Sequence, residues 1–270
     1  MADVDPGVSE SSMPFDLRRI TAETFVEGID YQPTVASTND LALESCHSEN
    51  HEGPFLFLTS EQTRGRGRGS NQWWSTADAL TFSLVLQPES LGIRSDLWPQ
   101  ASLTTGLSVC MALENVLPDK RLALKWPNDV FLNSRKVCGI LVEVGRGVSP
   151  LLVIGIGVNV NNGFAAAPPE LAMVATSLSD ETGRAFDLTE ILIGLLKQIE
   201  TQFRRLATAD PQLPADWQRR CALRGLTVTI DTQGDCQTGR CTGIDSDGAL
   251  VLDTEHGLQR FFGGVVTHFG

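Results

Sequence analysis

Four short runs rich in valine, isoleucine and leucine follow one another between Leu122 and Val160, and they constrain the fold more than any other feature. They cover residues 122–126, 130–132, 137–144 and 151–160, each of strand length. Asn133-Ser134, between the second and third, supplies the turn formers a hairpin needs. Such a succession predicts a sheet assembled from hairpins. Two further strands are expected at 55–59 and 80–86, and a helix start where the capping residues Ser37-Thr38-Asn39-Asp40 precede Leu41. Residues 98–117 carry the apolar period of a long buried helix. Residues 188–206 carry that of an amphipathic helix covering one face of the sheet, broken by Asp210-Pro211 and Pro214.

From about Gly225 the texture changes to short alternating strands separated by Gly and Asp turns, such as Asp247-Gly248. This predicts a small β-barrel packed on the larger unit, because some fifty residues is near the lower limit for independent stability. The expected class is α+β. A catalytic-size domain over 15–220 combines a mixed β-sheet with helices, a small C-terminal β-barrel covers 221–270, and a loose acidic tail covers 1–14.

Charge excludes several functions. The 270-residue chain has a formal net charge of −12 and a pI near 4.7, so its field repels phosphate backbones and anionic lipid headgroups. The first twenty residues carry Asp3, Asp5 and Glu10 without an apolar core, unlike a secretory leader. No stretch reaches the roughly 18 uninterrupted apolar residues of a membrane helix. Cys46, Cys110, Cys138, Cys221, Cys236 and Cys241 show no CxxC spacing. They read as reduced thiols in a cytoplasmic protein, with no closed zinc ligand set.

Against this acidic background, Arg64-Gly65-Arg66-Gly67-Arg68-Gly69 concentrates positive charge. Guanidinium groups are almost never buried unpaired and glycine adds no packing, so this is a cationic loop. Arginine's planar fork suits carboxylate and phosphate, and glycine lets the backbone approach a ligand. The loop has neither the Gly-Lys-Ser/Thr ending of a Walker phosphate loop nor the dinucleotide-binding spacing. By itself it also fits a solvated surface loop. Lys125-Trp126-Pro127-Asn128-Asp129 closes a strand with an ammonium, and two separate cationic elements are what transfer to an α-phosphate requires. Gly155 and Gly157 sit inside a strand, where glycine marks either a bulge or the close approach of another group.

Taken together these motifs resemble the biotin protein ligases. Ser37-Thr38-Asn39, Gly65-Arg66-Gly67-Arg68 followed by Trp73, Lys125-Trp126-Pro127-Asn128-Asp129, Gly139-Ile140-Leu141-Val142-Glu143 and Gly155-Ile156-Gly157-Val158-Asn159 occur in that family's order and spacing. The similarity is strong over about residues 30–165 and weaker over the C-terminal barrel. It implies a catalytic domain like those of the class II aminoacyl-tRNA synthetases, with ATP and biotin as substrates and Mg2+ accompanying ATP. Ser37, Thr38, Asn39 and Gln62 would line the biotin ureido and carboxylate region. Arg66, Gly67 and Arg68 would fold over biotin and the adenylate, with Trp73 near the adenine. Lys125 would contact the biotin carboxylate and the α-phosphate, with Asn128 and Asn159 on the nucleotide. Catalysis would rest on Lys125, Arg66 and Arg68, and no metal-ligating side chain is assigned.

The acceptor implied is a lysine of a biotin carboxyl carrier protein, with no DNA or membrane partner and the choice between monomer and homodimer left open. Two features depart from the family pattern. Ser70-Asn71 stands where a second Gly-Arg often occurs, and some thirty residues before Thr34 are too few for a DNA-binding winged helix. The competing readings are a lipoate- or octanoate-transferring enzyme of the same superfamily, a biotin-responsive repressor, and a catalytically silent biotin sensor.

Overall fold

The computed structural model describes residues 3–4, 13–48, 53–74, 76–146, 149–164 and 167–270. Apart from Met13 and Pro14, the expected tail over 1–14 lies outside these, except that β1 (Asp3–Val4) pairs parallel to β2 (Gly28–Val35).

An eight-stranded mixed sheet forms the larger part. Its order is β1-β2-β3-β4-β8-β7-β6-β5, with β3 at Phe55–Gln62, β4 at Leu80–Leu86, β5 at Leu122–Lys125, β6 at Asp129–Leu132, β7 at Arg135–Arg146 and β8 at Pro150–Val158. The β1-β2 and β2-β3 pairs are parallel, and every pair from β3 to β5 is antiparallel. The hairpin expected at Asn133-Ser134 is present. Both residues have positive φ, 49° and 71°, the geometry of a tight turn that follows strand twist.

Helices cover both faces. On one lies α3 (Ala101–Val116), backed by α6 (Leu188–Ala207). The long helix begins later than its apolar period suggests, because Ser95–Gln100, with Pro99 inside, forms a 3-10 turn first. Leu188, Ile191, Leu192, Leu195, Ile199, Phe203 and Leu206 of α6 are buried at helical spacing, and the Asp187 side chain accepts from the backbone N–H of Thr189 and Glu190. On the opposite face α2 (Thr38–Ser48) packs Ala42 and Cys46 against Phe57, Val85, Leu151 and Val153.

Several elements were not anticipated: α1 (Leu17–Glu23), β2, α4 (Pro169–Val174), α5 (Leu178–Thr182) and α7 (Gln212–Arg220). Pro214 does not break α7, because it falls in the first turn, where no intrahelical N–H bond is lost.

The C-terminal unit is an antiparallel five-stranded sheet in the order β12-β11-β10-β9-β13. Its strands are β9 (Thr227–Thr232), β10 (Asp235–Ile244), β11 (Leu250–Thr254), β12 (Gly257–Phe261) and β13 (Val265–Phe269). The expected barrel is thus seen as a sheet in which, among the described residues, no ladder joins β12 to β13. Hydrogen bonds join it to the larger unit. Trp126 Nε1 donates to the Gly248 carbonyl at 3.0 Å, and Gln218 of α7 accepts from Ile244 N at 2.7 Å and donates to the Thr242 carbonyl at 3.2 Å.

Candidate active site

The site is built on one face of β4, β8 and β7. Cross-strand register sets three rows there: Thr81, Gly157 and Gly139; then Ser83, Gly155 and Leu141; then Val85, Val153 and Glu143. The helix α2 covers the third row, and over the glycines the floor is backbone. A Cβ on Gly155 would lie 2.1 Å from Asn39 Oδ1, and one on Gly157 would lie 2.3 Å from the Trp73 ring. These strand glycines therefore mark close approach, of Asn39 and of Trp73. Above them opens a cavity of about 970 Å³.

One end is polar and uncharged. Ser37 precedes α2, and its hydroxyl faces Asp40 N at 3.4 Å. Gln62 Oε1 accepts from the backbone N–H of Thr38 at 2.7 Å, and Ser83 Oγ lies 2.8 Å from Thr38 Oγ1 and 2.6 Å from Asn39 Oδ1. Ser37, Thr38, Asn39, Gln62 and Ser83 are all buried. Such a network is rigid, because each member holds the next in a low-dielectric setting.

The other end is cationic. Lys125 ends β5, with Nζ 3.6 Å from Asp129 Oδ2 and within about 6 Å of the Phe131 and Phe269 ring centres. Lys136 Nζ lies 2.6 Å from Asp129 Oδ1 and 5.9 Å from the centre of the Trp73 ring. Asn128, also lining the cavity, donates to the Ile140 carbonyl at 2.8 Å.

Between the ends runs the arginine loop, folded as a hairpin: Trp73 N donates to the Gly65 carbonyl at 2.9 Å, Gly67 N to Asn71 O at 2.8 Å and Asn71 N to Arg68 O at 3.2 Å. Asn71, one of the two residues that depart from the family pattern, closes this turn through its backbone. Two arginines of the loop have opposite surroundings. Arg66 is neutralised, with Nη1 and Nη2 at 3.1 and 2.5 Å from the two Glu143 oxygens and Nε 2.8 Å from Asp40 Oδ1. Arg68 makes no ion pair among the described residues. Only the neutral Asn128 Oδ1 and Gly264 carbonyl are near, at 3.5 and 3.4 Å, and burial lowers its pKa against the opposing pull of Asp129.

Of the expected site residues, Ser37, Thr38, Asn39, Gln62, Arg66, Gly67, Arg68, Trp73, Lys125 and Asn128 all line this cavity. Asn159 does not. It is buried beside it, donating to the Thr176 carbonyl at 3.0 Å and accepting from Asn162 at 3.1 Å. Cys138, next to the glycine floor, has its thiol pushed up by burial, so it supplies no thiolate. Among the described residues no group of three or more His, Cys, Asp or Glu side chains could hold a metal ion.

A family model described as "Biotin/lipoate A/B protein ligase family" matches residues 31–161, and one described as "Biotin protein ligase C terminal domain" matches 224–268. The biotin--[acetyl-CoA-carboxylase] ligase of Paracoccus denitrificans is 35% identical over 240 residues, 84% of this chain and 98% of that protein. The chain belongs to the biotin protein ligases. The ligase of the same name from Mycobacterium tuberculosis is 34% identical over 83% of each chain. A solved biotin protein ligase from Aquifex aeolicus, in complex with biotin and ATP, superposes with a TM-score of 0.78 at 28% identity, covering 89% of this chain and 98% of that one.

Five participants in this ligase fold escaped the sequence reading as site residues: Asp40, Ser83, Asp129, Lys136 and Glu143. Two had left a signal. Ser83 alternates with Thr81 in an otherwise apolar strand, and Glu143 is the one charge within the run 137–144. The C-terminal contributors, including Asp231, Gly264 and Val265, reach the cavity only through the way β9 and β13 pair.

Proposed function

We propose that this chain activates biotin with ATP to biotinyl-5′-AMP and transfers the biotinyl group to a lysine of a biotin carboxyl carrier protein. The observation that carries the reading is the pairing of an uncharged, hydrogen-bonded end with an end where Lys125 and Lys136 meet the Asp129 carboxylate and Arg68 has no ion-pair partner among the described residues. A neutral polar headgroup fits the first, and an adenylate with its carboxyl-phosphate junction fits the second. In the first half-reaction a biotin carboxylate oxygen bonds to the α-phosphorus as the bond to the pyrophosphate leaving group breaks. Lys125 and Arg68 offset the charge that builds there. In the second, the neutral lysine amine of the carrier attacks the acyl carbon, the bond to AMP breaks, and the amide nitrogen loses a proton to water.

ATP would enter as its magnesium complex, the metal carried by the phosphates, and the cavity carboxylate Asp129 would be available to it, as is usual for Mg2+. Trp73, packed close against Gly157 and Gly139, offers a ring for the adenine. A chain of net charge −12 is a poor ligand for duplex DNA, so no DNA-binding role is assigned. No helix among the described residues is long and apolar enough to cross a membrane. The cysteines, free and mostly buried, support a reducing, cytoplasmic setting. Pairing as a homodimer is compatible with the reading and is not needed for it.

A lipoate-transferring reading is weaker, because an apolar dithiolane ring would leave the hydroxyls and amides of the polar end without partners. The test is pyrophosphate release on incubation with ATP, magnesium and either biotin or lipoate. Release with biotin is expected. Release with lipoate alone overturns the reading.

A further inference from the structure

Glu143 has no direct part in the chemistry proposed for the ligands, yet its carboxylate is where the two halves of the site meet. One oxygen, Oε2, accepts from Arg66 Nη2 at 2.5 Å and from Asn39 Nδ2 at 2.8 Å, while Oε1 accepts from Arg66 Nη1 at 3.1 Å. Arg66 is on the first arm of the arginine hairpin, paired across it with Gln72. Asn39 is in the first turn of α2, buried against the glycine floor. We propose that Glu143 is a positioning residue of the ligase, joining the arginine hairpin to the biotin-reading end so that the two are set as one unit. The proposal rests on the assignment of this cavity to biotin and adenylate.

Proton counting gives the join a direction. Asn39 Nδ2 faces two acceptors, Glu143 Oε2 and the Leu141 carbonyl at 3.3 Å, which orients the amide. Its Oδ1 can then only accept, and the proton comes from Ser83 at 2.6 Å. A hydroxyl carries one proton, so with that of Ser83 spent on Asn39, the Thr38 proton is shared between Ser83 Oγ at 2.8 Å and Gln62 Oε1 at 3.1 Å. The Thr38 oxygen thereby keeps a lone pair for the cavity, suited to a ligand N–H. The same carboxylate that fixes this polarity also holds Arg66 through a charge-assisted fork, the stronger kind of hydrogen bond. Asp40 adds a second carboxylate to Arg66, but a more exposed one that meets only Nε, so the fork to Glu143 is the firmer hold.

The decisive variant is Glu143→Gln, which keeps the shape and one acceptor but loses the charge and the fork. Steady-state kinetics and the dissociation rate of biotinyl-adenylate are measured for the full chain and the variant side by side. The expected result is a rise of about tenfold in the KM for biotin and in the adenylate dissociation rate, with kcat within about threefold, because Lys125 and Arg68 are untouched. Arg66→Lys, which keeps the charge but cannot span both oxygens, should reproduce the shift, and it serves if the first variant folds poorly. The double variant should be no worse than the worse single one, since both break the same join. A wild-type KM and dissociation rate in Glu143→Gln, a fall confined to kcat, or additive effects in the double variant would each overturn the proposal. If wild type itself releases no pyrophosphate with biotin, the functional assignment fails instead.

Discussion

The two ends of the cavity solve opposite physical problems. At the polar end the described contacts join side chains to one another and to nearby backbone, so the buried groups hold one another and the geometry is set before any ligand arrives. At the cationic end Lys125 and Lys136 share the Asp129 carboxylate, and Arg68 has only neutral oxygens beside it. The first end is built for recognition by shape and hydrogen bonding. The second is left unbalanced, and an incoming anion supplies what is missing. The loop shows the same division within three residues, Arg66 being spent on protein carboxylates and Arg68 held for a ligand.

The largest effect should come from the unbalanced end. Lys125→Ala removes a cation placed to meet developing charge, so adenylate formation should fall on the order of 100- to 1000-fold. Thermal unfolding should move little. The check is single-turnover pyrophosphate release with saturating biotin and ATP, alongside a melting curve. Activity within a few-fold of wild type would remove Lys125 from the chemistry and, with it, the claim that the charge imbalance serves catalysis.

A smaller effect, confined to the other end, is expected from Ser83→Ala. Losing the hydroxyl leaves Asn39 Oδ1 buried without its donor, at a cost of about 1–2 kcal/mol, or roughly ten-fold in biotin affinity. The KM for ATP should stay near its wild-type value, because Ser83 touches none of the cations. Titration calorimetry with biotin and kinetics with ATP would show it. If both constants move together, the ends are not separate.

These side chains also show what could be read in advance. The strands at 122–160, the glycine floor and the gathering of ten of the eleven expected residues around one cavity were legible because strand period, turn chemistry and local motif order are properties of neighbouring residues. Asn159 was read with the nucleotide because it closes a glycine motif, but the chain turns after Val158 and carries its amide to Thr176. Glu143 acquires its role through a distant partner, Arg66, which spacing cannot show, whereas Lys136 meets Asp129 across the hairpin at Asn133-Ser134. Likewise β13, following Gly263-Gly264, was not among the expected strands, and its place is set by pairing with Ile230 and Val228 of β9.

The smallest effect tests whether the excess charge is special to the site. Glu181 is a carboxylate outside the cavity lining with a full set of partners. It accepts from Arg135 at 2.6 Å, Asn133 at 2.7 Å and Thr176 at 3.0 Å, tying the tip of the β6-β7 hairpin to the segment before α5. Burial pushes its pKa up, but these hydrogen bonds and the Arg135 charge outweigh that, so the net shift is downward. A carboxylate with a depressed folded pKa stabilises the fold above its unfolded pKa and loses that contribution as pH falls through the folded value. Glu181→Gln should therefore cost about 1 kcal/mol near neutral pH, and the gap from wild type should close through the acidic carboxylate range. Adenylate formation at neutral pH should be unchanged, because this carboxylate balances cations that are not offered to a ligand. Denaturant midpoints for both proteins across that pH range, with one activity assay, make the comparison. A gap that stays constant with pH would mean that shape rather than charge is at work, and a loss of activity would mean that the hairpin carrying Lys136 is held from outside the cavity.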